Sequence, residues 1–239
     1  MMHMLYNFFK RVFDLFCSTL AIIVLSPFLI AIAIGIKLSS KGPVFYTTER
    51  VGKNKKPFTV YKFRSMHIYD PAKDSAGNEG TYFANTNRIF KLGGFLRASK
   101  MDELPQLINI FMGQMSVVGP RPVPQVAAQN NYSGENACIL SVKPGLACLD
   151  SLFDYAHGEL FEDDIEKYRK EIVPVRNDLA KLYVERQSFA LDIYCILRTV
   201  QLIFEIIIMK KRDFSYTKYE CISRERVQAN RENAVHNGK

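Results

Sequence analysis

Asp102 and Glu103 are adjacent acids in Lys100-Met101-Asp102-Glu103-Leu104-Pro105-Gln106. Paired carboxylates can attack an electrophile, move a proton or hold a cation. Pro105 lacks an N–H, so a helix carrying Leu107 and Phe111 begins within a few residues of it and places both acids at its N-terminus. There the helix dipole and free N–H groups keep carboxylates ionised and favour a bound phosphate nearby. Taken alone, the pair reads as an ordinary helix cap. Its setting says more. Arg97 lies five residues before Asp102, and Arg121 follows in Gly119-Pro120-Arg121-Pro122, where prolines on both sides restrict the backbone that carries the guanidinium. Lys62 and Arg64 alternate with Tyr61 and Phe63 at strand period and would project from one face, an arrangement that suits a phosphate group. Two acids, two arginines and a basic strand form a set suited to a metal-bound diphosphate.

The elements that must hold these groups begin with a membrane segment. Leu15 to Ile36 is a run of 22 residues without a charge, enough to cross a bilayer core of roughly 30 Å as one straight helix. It is too long for the apolar region of a signal peptide, and Lys37 to Lys41 follow with no small-residue cleavage site. Pro27 sits at its midpoint, where it removes a backbone hydrogen bond, and Ser26 beside it can re-satisfy the freed carbonyl. Cations flank both sides, Lys10 and Arg11 before and Lys37 and Lys41 after, without the one-sided bias of a spanning helix. The pattern predicts a re-entrant helix bent at Ser26 and Pro27 with both ends in the cytoplasm; a single spanning helix with a Ser-Pro kink is the alternative. Residues 37 to 66 hold eight Lys or Arg and one acid, a net +7 out of the whole chain's +8. Lys53, Lys55 and Lys56 suit anionic headgroups.

The full chain has 239 residues, 48% apolar and 23% charged, which excludes disorder and collagen-like repeats. Five cysteines in no zinc spacing indicate neither a disulfide framework nor a structural metal, as in a reducing compartment. A hairpin is expected from Val44 to Thr48 and back along Phe58 to Phe63. A mobile loop is expected over residues 70–80, and an extended segment over 117–124. Leu104, Leu107, Ile108 and Phe111 mark an amphipathic helix stopped at Gly113. Ile193, Ile196, Leu197, Val200, Phe204 and Ile207 mark one face of a second helix, and the run LIFEIII at its end is apolar enough to lie in the membrane interface. Glu162, Asp163 and Asp164 read as a solvated helix face beside Lys167, Arg169 and Lys170, and His67 and His157 as structural residues. The expected fold is α+β: helix-rich and monotopic, with a re-entrant N-terminal helix, a small β-hairpin and amphipathic interfacial helices. Its parts would be residues 1–41, the membrane helix and flanks; 42–209, the catalytic domain; and 210–239, a basic tail, surface-associated or disordered.

Several motifs in order carry a resemblance: KRVFDLFCSTLAIIVLSPF, KGPVFYTTERVGKNKKPFTVYKFRSM, NRIFKLGGFLRASKMDELPQLINIFMGQMSVVGPRP, SVKPG and YVERQSFALDIYCILRTV. Together they cover most of residues 10 to 200, and the chain resembles the monotopic phosphoglycosyl transferases of the bacterial sugar transferase family. The resemblance implies transfer of a sugar-1-phosphate from a UDP-sugar to polyprenyl (undecaprenyl) phosphate at the cytoplasmic face of the bacterial inner membrane, starting surface glycan assembly. It assigns the membrane bend to Ser26 and Pro27, the catalytic dyad to Asp102 and Glu103, and essential arginines to Arg97 and Arg121. Asp102 would form a covalent phosphosugar intermediate with release of UMP. Glu103 would hold Mg²⁺, or Mn²⁺, or manage protons. The implied partners are the UDP-sugar, the polyprenyl phosphate and membrane lipids, with no nucleic acid; homodimerisation stays open. Larger members carry a preceding bundle of spanning helices, so the chain reads as the minimal catalytic form. It departs from the family after Lys143-Pro144-Gly145, where Leu146 to Phe153 replaces the usual run, and at Gln114 and Gly94, where Asp and Arg are common. The alternative in another class is a non-catalytic, membrane-anchored basic scaffold for anionic lipid or nucleic acid.

Overall fold

The computed structural model describes residues 2–68, 88–158, 165–211 and 213–237. The loop expected at 70–80 and the acids 162–164 lie outside them. Helix α1, Met2–Ser39, carries Pro27 in its interior. Two β-pairs follow among further helices: β1 (Phe45–Val51) with β2 (Pro57–Phe63), antiparallel, and β3 (Ser116–Val118) with β4 (Gly145–Ala147), parallel. The remaining helices are α2 (Lys91–Ala98), α3 (Gln106–Phe111), α4 (Gln125–Asn131), α5 (Leu149–His157), α6 (Ile165–Lys167), α7 (Val173–Glu185), α8 (Phe189–Ile207) and α9 (Lys218–Asn237). The chain is thus helix-rich α+β with small sheets and one long apolar N-terminal helix.

Pro27 cannot donate to the carbonyl one turn back, that of Ile23. The Ser26 hydroxyl donates to this carbonyl instead, at 2.8 Å. Met4–Ser39 is long and apolar enough to cross a membrane, and it is mostly uncovered by the rest of the chain. Its two flanks are nevertheless tied to the same folded unit. On the N-terminal side, Arg11 donates to the carbonyls of Ile110 and Phe111 at 2.7 and 2.8 Å. Buried Asp14 accepts from Ser116 Oγ and the Val117 N–H. Asp192 of α8 gathers Tyr6, Lys10 and Tyr183 at 2.6–2.8 Å. On the C-terminal side, Ile32 and Ile36 pack with Phe63, Phe90 and Leu96.

The β1–β2 register runs from Phe45 opposite Phe63 to Val51 opposite Pro57, so the ladder starts one residue later than the expected Val44 and extends further at the turn end, past Thr48 and Phe58. Its turn passes through Asn54 and Lys55 at positive φ. Gly113, at φ +81°, stops α3 as expected. That helix is not apolar on one buried face alone. Leu107 and Ile110 are buried with the amide side chains of Gln106 and Asn109, while Ile108, Phe111 and Met112 are exposed. Helix α8 likewise turns Ile193, Leu197, Val200 and Phe204 outward and Leu191, Cys195 and Leu202 inward, so apolar residues occupy both faces. Ser188 caps it, accepting from the Leu191 N–H.

The main core packs Val118, Ala147 and Leu149 against Tyr168, Leu179, Leu182, Tyr183 and Cys195. A π turn, Tyr168–Ile172, joins α6 to α7 where Pro174 removes a helical donor. The C-terminal segment departs from the expected tail. Phe214, Glu220 and Ser223 are buried, Ser223 Oγ donates to the Val175 carbonyl, and Tyr219 and Val227 pack on the main core. The low apolar content of 210–239 hid this, because α9 docks through a few side chains. The five cysteines are unbridged.

Candidate active site

Asp102 and Glu103 occupy a 3₁₀ turn, Met101–Glu103, immediately ahead of α3. The chain reaches that turn through Lys100, held in the left-handed region at φ +56°, which reverses the path out of α2. Gly93 sets how closely α2 approaches the strand: a Cβ there would lie 1.9 Å from the Ser65 carbonyl oxygen. On the other side, buried Asn109 fastens α3 to β2. Its amide donates to the Thr59 carbonyl at 2.7 Å and to Gln114 Oε1 at 2.8 Å, and its oxygen accepts from the Tyr61 N–H. Lys62, next along the strand, is thereby aimed at the acidic turn.

Lys62 Nζ lies 2.7 Å from Glu103 Oε1, and Arg121 Nη2 lies 2.8 Å from the same oxygen. Arg121 Nη1 reaches Glu103 Oε2 at 3.5 Å and donates to the Tyr155 hydroxyl at 3.0 Å. The Arg121 backbone N–H donates to Asp150 Oδ2 at 2.9 Å. Arg121 follows β3, and the β3–β4 backbones meet so closely that a Cβ on Gly145 would lie 2.3 Å from the Gly119 nitrogen. Tyr155 and Asp150 lie on α5, which follows β4 directly. The Tyr155 ring also carries the Lys100 ammonium 4.4 Å from its centroid.

The two acids are tuned in opposite directions. Burial raises the Glu103 carboxyl, but the charges of Arg121 and Lys62 and their hydrogen bonds outweigh it, holding the group well below the usual carboxylate range. Asp102 is raised by burial and by the neighbouring Glu103 charge, against the opposing charges of Lys62, Lys100 and Arg97. Its Oδ1 is buried without a hydrogen-bond partner among the described residues. A buried carboxylate oxygen left open in this way is costly unless a ligand completes it. Among the described residues, no three His, Cys, Asp or Glu side chains come together as a metal cluster. The carboxylates of Asp102 and Glu103 are nevertheless hard oxygen donors of the type that suits Mg²⁺, which takes one or two protein carboxylates and completes its shell with water and substrate phosphate.

Lys62 and Arg121 therefore converge on the dyad, and Arg97 is close enough for its charge to act on Asp102. Arg64 does not join them. It lies just beyond the strand, is buried, and spends its guanidinium on the Pro43 carbonyl, Ser40 Oγ and the Ser40 carbonyl at 2.6–2.7 Å. The strand ends at Phe63, so strand alternation stops governing where Arg64 points; it ties the hairpin to the end of α1. Sequence reasoning missed Asn109, Asp150 and Tyr155. No local pattern marks them, since each acts through a residue distant in the chain.

The model of the family described as bacterial sugar transferase matches residues 5–206. The chain belongs to the bacterial sugar transferase family. A UDP-glucose:undecaprenyl-phosphate glucose-1-phosphate transferase from Klebsiella pneumoniae is 40% identical over 194 residues, 80% of this chain and 39% of that protein. One of the same name from Caulobacter vibrioides is 34% identical over 195 residues, covering 80% and 68% respectively. A UDP-N-acetylgalactosamine-undecaprenyl-phosphate N-acetylgalactosaminephosphotransferase from Aeromonas hydrophila is 31% identical over 204 residues, covering 83% and 44%. The chain thus spans about two fifths of the Klebsiella and Aeromonas relatives.

Proposed function

We propose that this bacterial sugar transferase passes a sugar-1-phosphate from a UDP-sugar to undecaprenyl phosphate and so starts a surface polysaccharide. The observation that carries the reading is the asymmetry of the dyad: Glu103 is locked by Lys62 and Arg121, whereas Asp102 presents a buried oxygen with no partner among the described residues. Asp102 is then the nucleophile. One carboxylate oxygen bonds to the phosphorus that bears the sugar, the bridging P–O bond breaks, and its electron pair leaves with UMP. The acyl phosphate left on Asp102 is attacked by a phosphate oxygen of the undecaprenyl carrier, which forms the diphosphate-linked sugar and frees the carboxylate. Arg121, held by Asp150 and Tyr155, and Arg97 are placed to offset charge on the diphosphate, and Lys62 keeps Glu103 ionised beside it. Mg²⁺ held by Asp102 and Glu103 would neutralise phosphate oxygens, a requirement when a carboxylate approaches a diphosphate.

The acceptor phosphate sits at headgroup level with its tail in the bilayer, so the enzyme has to reach both lipid and soluble donor. A re-entrant α1 on the cytoplasmic face of the inner membrane meets that need. Supporting it, residues 6–14 and 32–40 are anchored to one folded unit, and a straight span would carry one flank across the membrane. The exposed apolar residues of α3 and α8 would lie in the same interface. The experiment is UMP release by the purified chain with undecaprenyl phosphate and a panel of UDP-sugars, including UDP-glucose and UDP-N-acetylgalactosamine. Release with one or more donors supports the reading; no release with any, from folded protein with Mg²⁺, favours the non-catalytic scaffold.

A further inference from the structure

A cavity of about 480 Å³ opens where α1, the tip of the β1–β2 hairpin, the strand β3 and the chain before β4 meet. Lys10, Arg11, Lys53 and Lys143 line it, with Asn7 and Ser141 among its polar walls. It is not part of the dyad site. Lys53 lies in the hairpin turn, whereas Lys62 is five residues up β2 from Pro57, roughly 17 Å along a strand.

The carboxylate in its wall, Asp14, is occupied by Ser116 Oγ and the Val117 N–H. Lys10 is paired with Asp192, and Arg11 caps the end of α3. The side-chain ammonium groups of Lys53 and Lys143 make no hydrogen bond or ion pair with any described residue. Lys143 is half-buried, and its ammonium is disfavoured by burial and by the Arg11 charge, with Asp14 opposing and Lys53 adding to the effect. An unpaired cation held in a recess among other cations is stabilised by an anion. The wall residues of α1, Asn7 to Asp14, lie directly before the uncharged run 15–36, which places the mouth at headgroup depth if that run enters lipid.

We propose that this cavity binds a phosphate ester, the phosphate of an anionic phospholipid headgroup, through Lys143 and Lys53. The site is separate from the transfer reaction and holds whatever that reaction proves to be. It would fix the protein's seating on the membrane by one defined headgroup rather than by diffuse charge alone.

The test is calorimetric titration of the full chain in neutral detergent with dihexanoyl phosphatidylglycerol, dihexanoyl phosphatidylcholine and inorganic phosphate, without UDP-sugar. Phosphatidylglycerol should bind and phosphatidylcholine should not. Lys143→Gln should weaken binding about tenfold or more, the scale of one lost charge-assisted hydrogen bond. Lys143→Arg should retain it, and Lys53→Gln, at the exposed turn, should weaken it without endangering the fold. Tighter binding of the lipid than of inorganic phosphate assigns the site to a headgroup. Equal binding of the two, lost together in Lys143→Gln, assigns it to a free phosphate ester and overturns the lipid source. Binding that is unchanged in both glutamine variants, or absent for lipid and phosphate alike, overturns the site itself.

Discussion

Glu103 and Asp102 are neighbours in the chain with opposite electrostatic fates, and the difference lies in who reaches them. Asp102→Asn should abolish UMP release, because an amide cannot form the acyl phosphate; Glu103→Gln should leave a folded protein that is severely impaired. Asp102→Asn should also be at least as thermally stable as wild type. Burial and the Glu103 charge raise its native carboxyl above the ordinary aspartate value of 3.8, so between the two values the folded state retains a proton that the unfolded chain releases. Wild-type stability is therefore full below that value and falls as pH rises through the raised native value, a loss the asparagine variant lacks. Melting temperatures compared below the ordinary aspartate value and at pH 8 check this, with the gap between the two proteins wider at pH 8. Tyr155→Phe should lower kcat by about tenfold to a hundredfold, the scale of losing one hydrogen bond to a charged group, with binding of the donor less affected. Steady-state kinetics separate the two effects. Residue type and spacing set Asp102, Glu103, Lys62, Arg97 and Arg121 together as a candidate group, and the structure brings Lys62 and Arg121 onto Glu103 with Arg97 near Asp102. Asp150 and Tyr155 were not legible in the sequence, since their roles depend on the β3–β4 pairing that brings α5 to Arg121. Arg64 leaves the expected face because the strand ends at Phe63, and its guanidinium is taken up by Pro43 and Ser40.

At the scale of elements, the Ser26-Pro27 step joins a local rule to a topological one. The serine satisfies the Ile23 carbonyl that the proline leaves open, so the helix can bend there without burying an unpaired group in lipid. Tags at residues 1 and 239 should both be reached by cytoplasmic labelling, whereas Pro27→Leu should move a fraction of N-terminal tags across the membrane. A wild-type N-terminus labelled only from outside would exclude the re-entrant reading. The hairpin, α3 and α8 were readable because apolar periodicity and turn residues coincide with their ends. Helix α9 was not, because few apolar residues mark it and its docking rests on buried Phe214, Glu220 and Ser223 against α5 and α7. On α3 and α8 apolar residues face both outward and into the core, and periodicity alone does not tell one face from the other.

For the whole molecule, the proposed transfer requires a soluble donor and a lipid-borne acceptor to meet, and the long apolar helix and the acidic turn share one folded unit. Hard oxygen donors at Asp102 and Glu103 imply that EDTA should abolish turnover and that Mg²⁺ or Mn²⁺ should restore it; full activity in EDTA would remove the metal from the account. The most direct measurement is intact-mass and peptide mass spectrometry of the purified protein mixed with its UDP-sugar, with no undecaprenyl phosphate present. The predicted result is a sugar phosphate carried on the peptide containing Asp102, formed with release of UMP, absent from Asp102→Asn, and discharged when undecaprenyl phosphate is added. An enzyme that turns over with acceptor yet never carries the adduct, or carries it on another residue, would contradict Asp102 as the nucleophile.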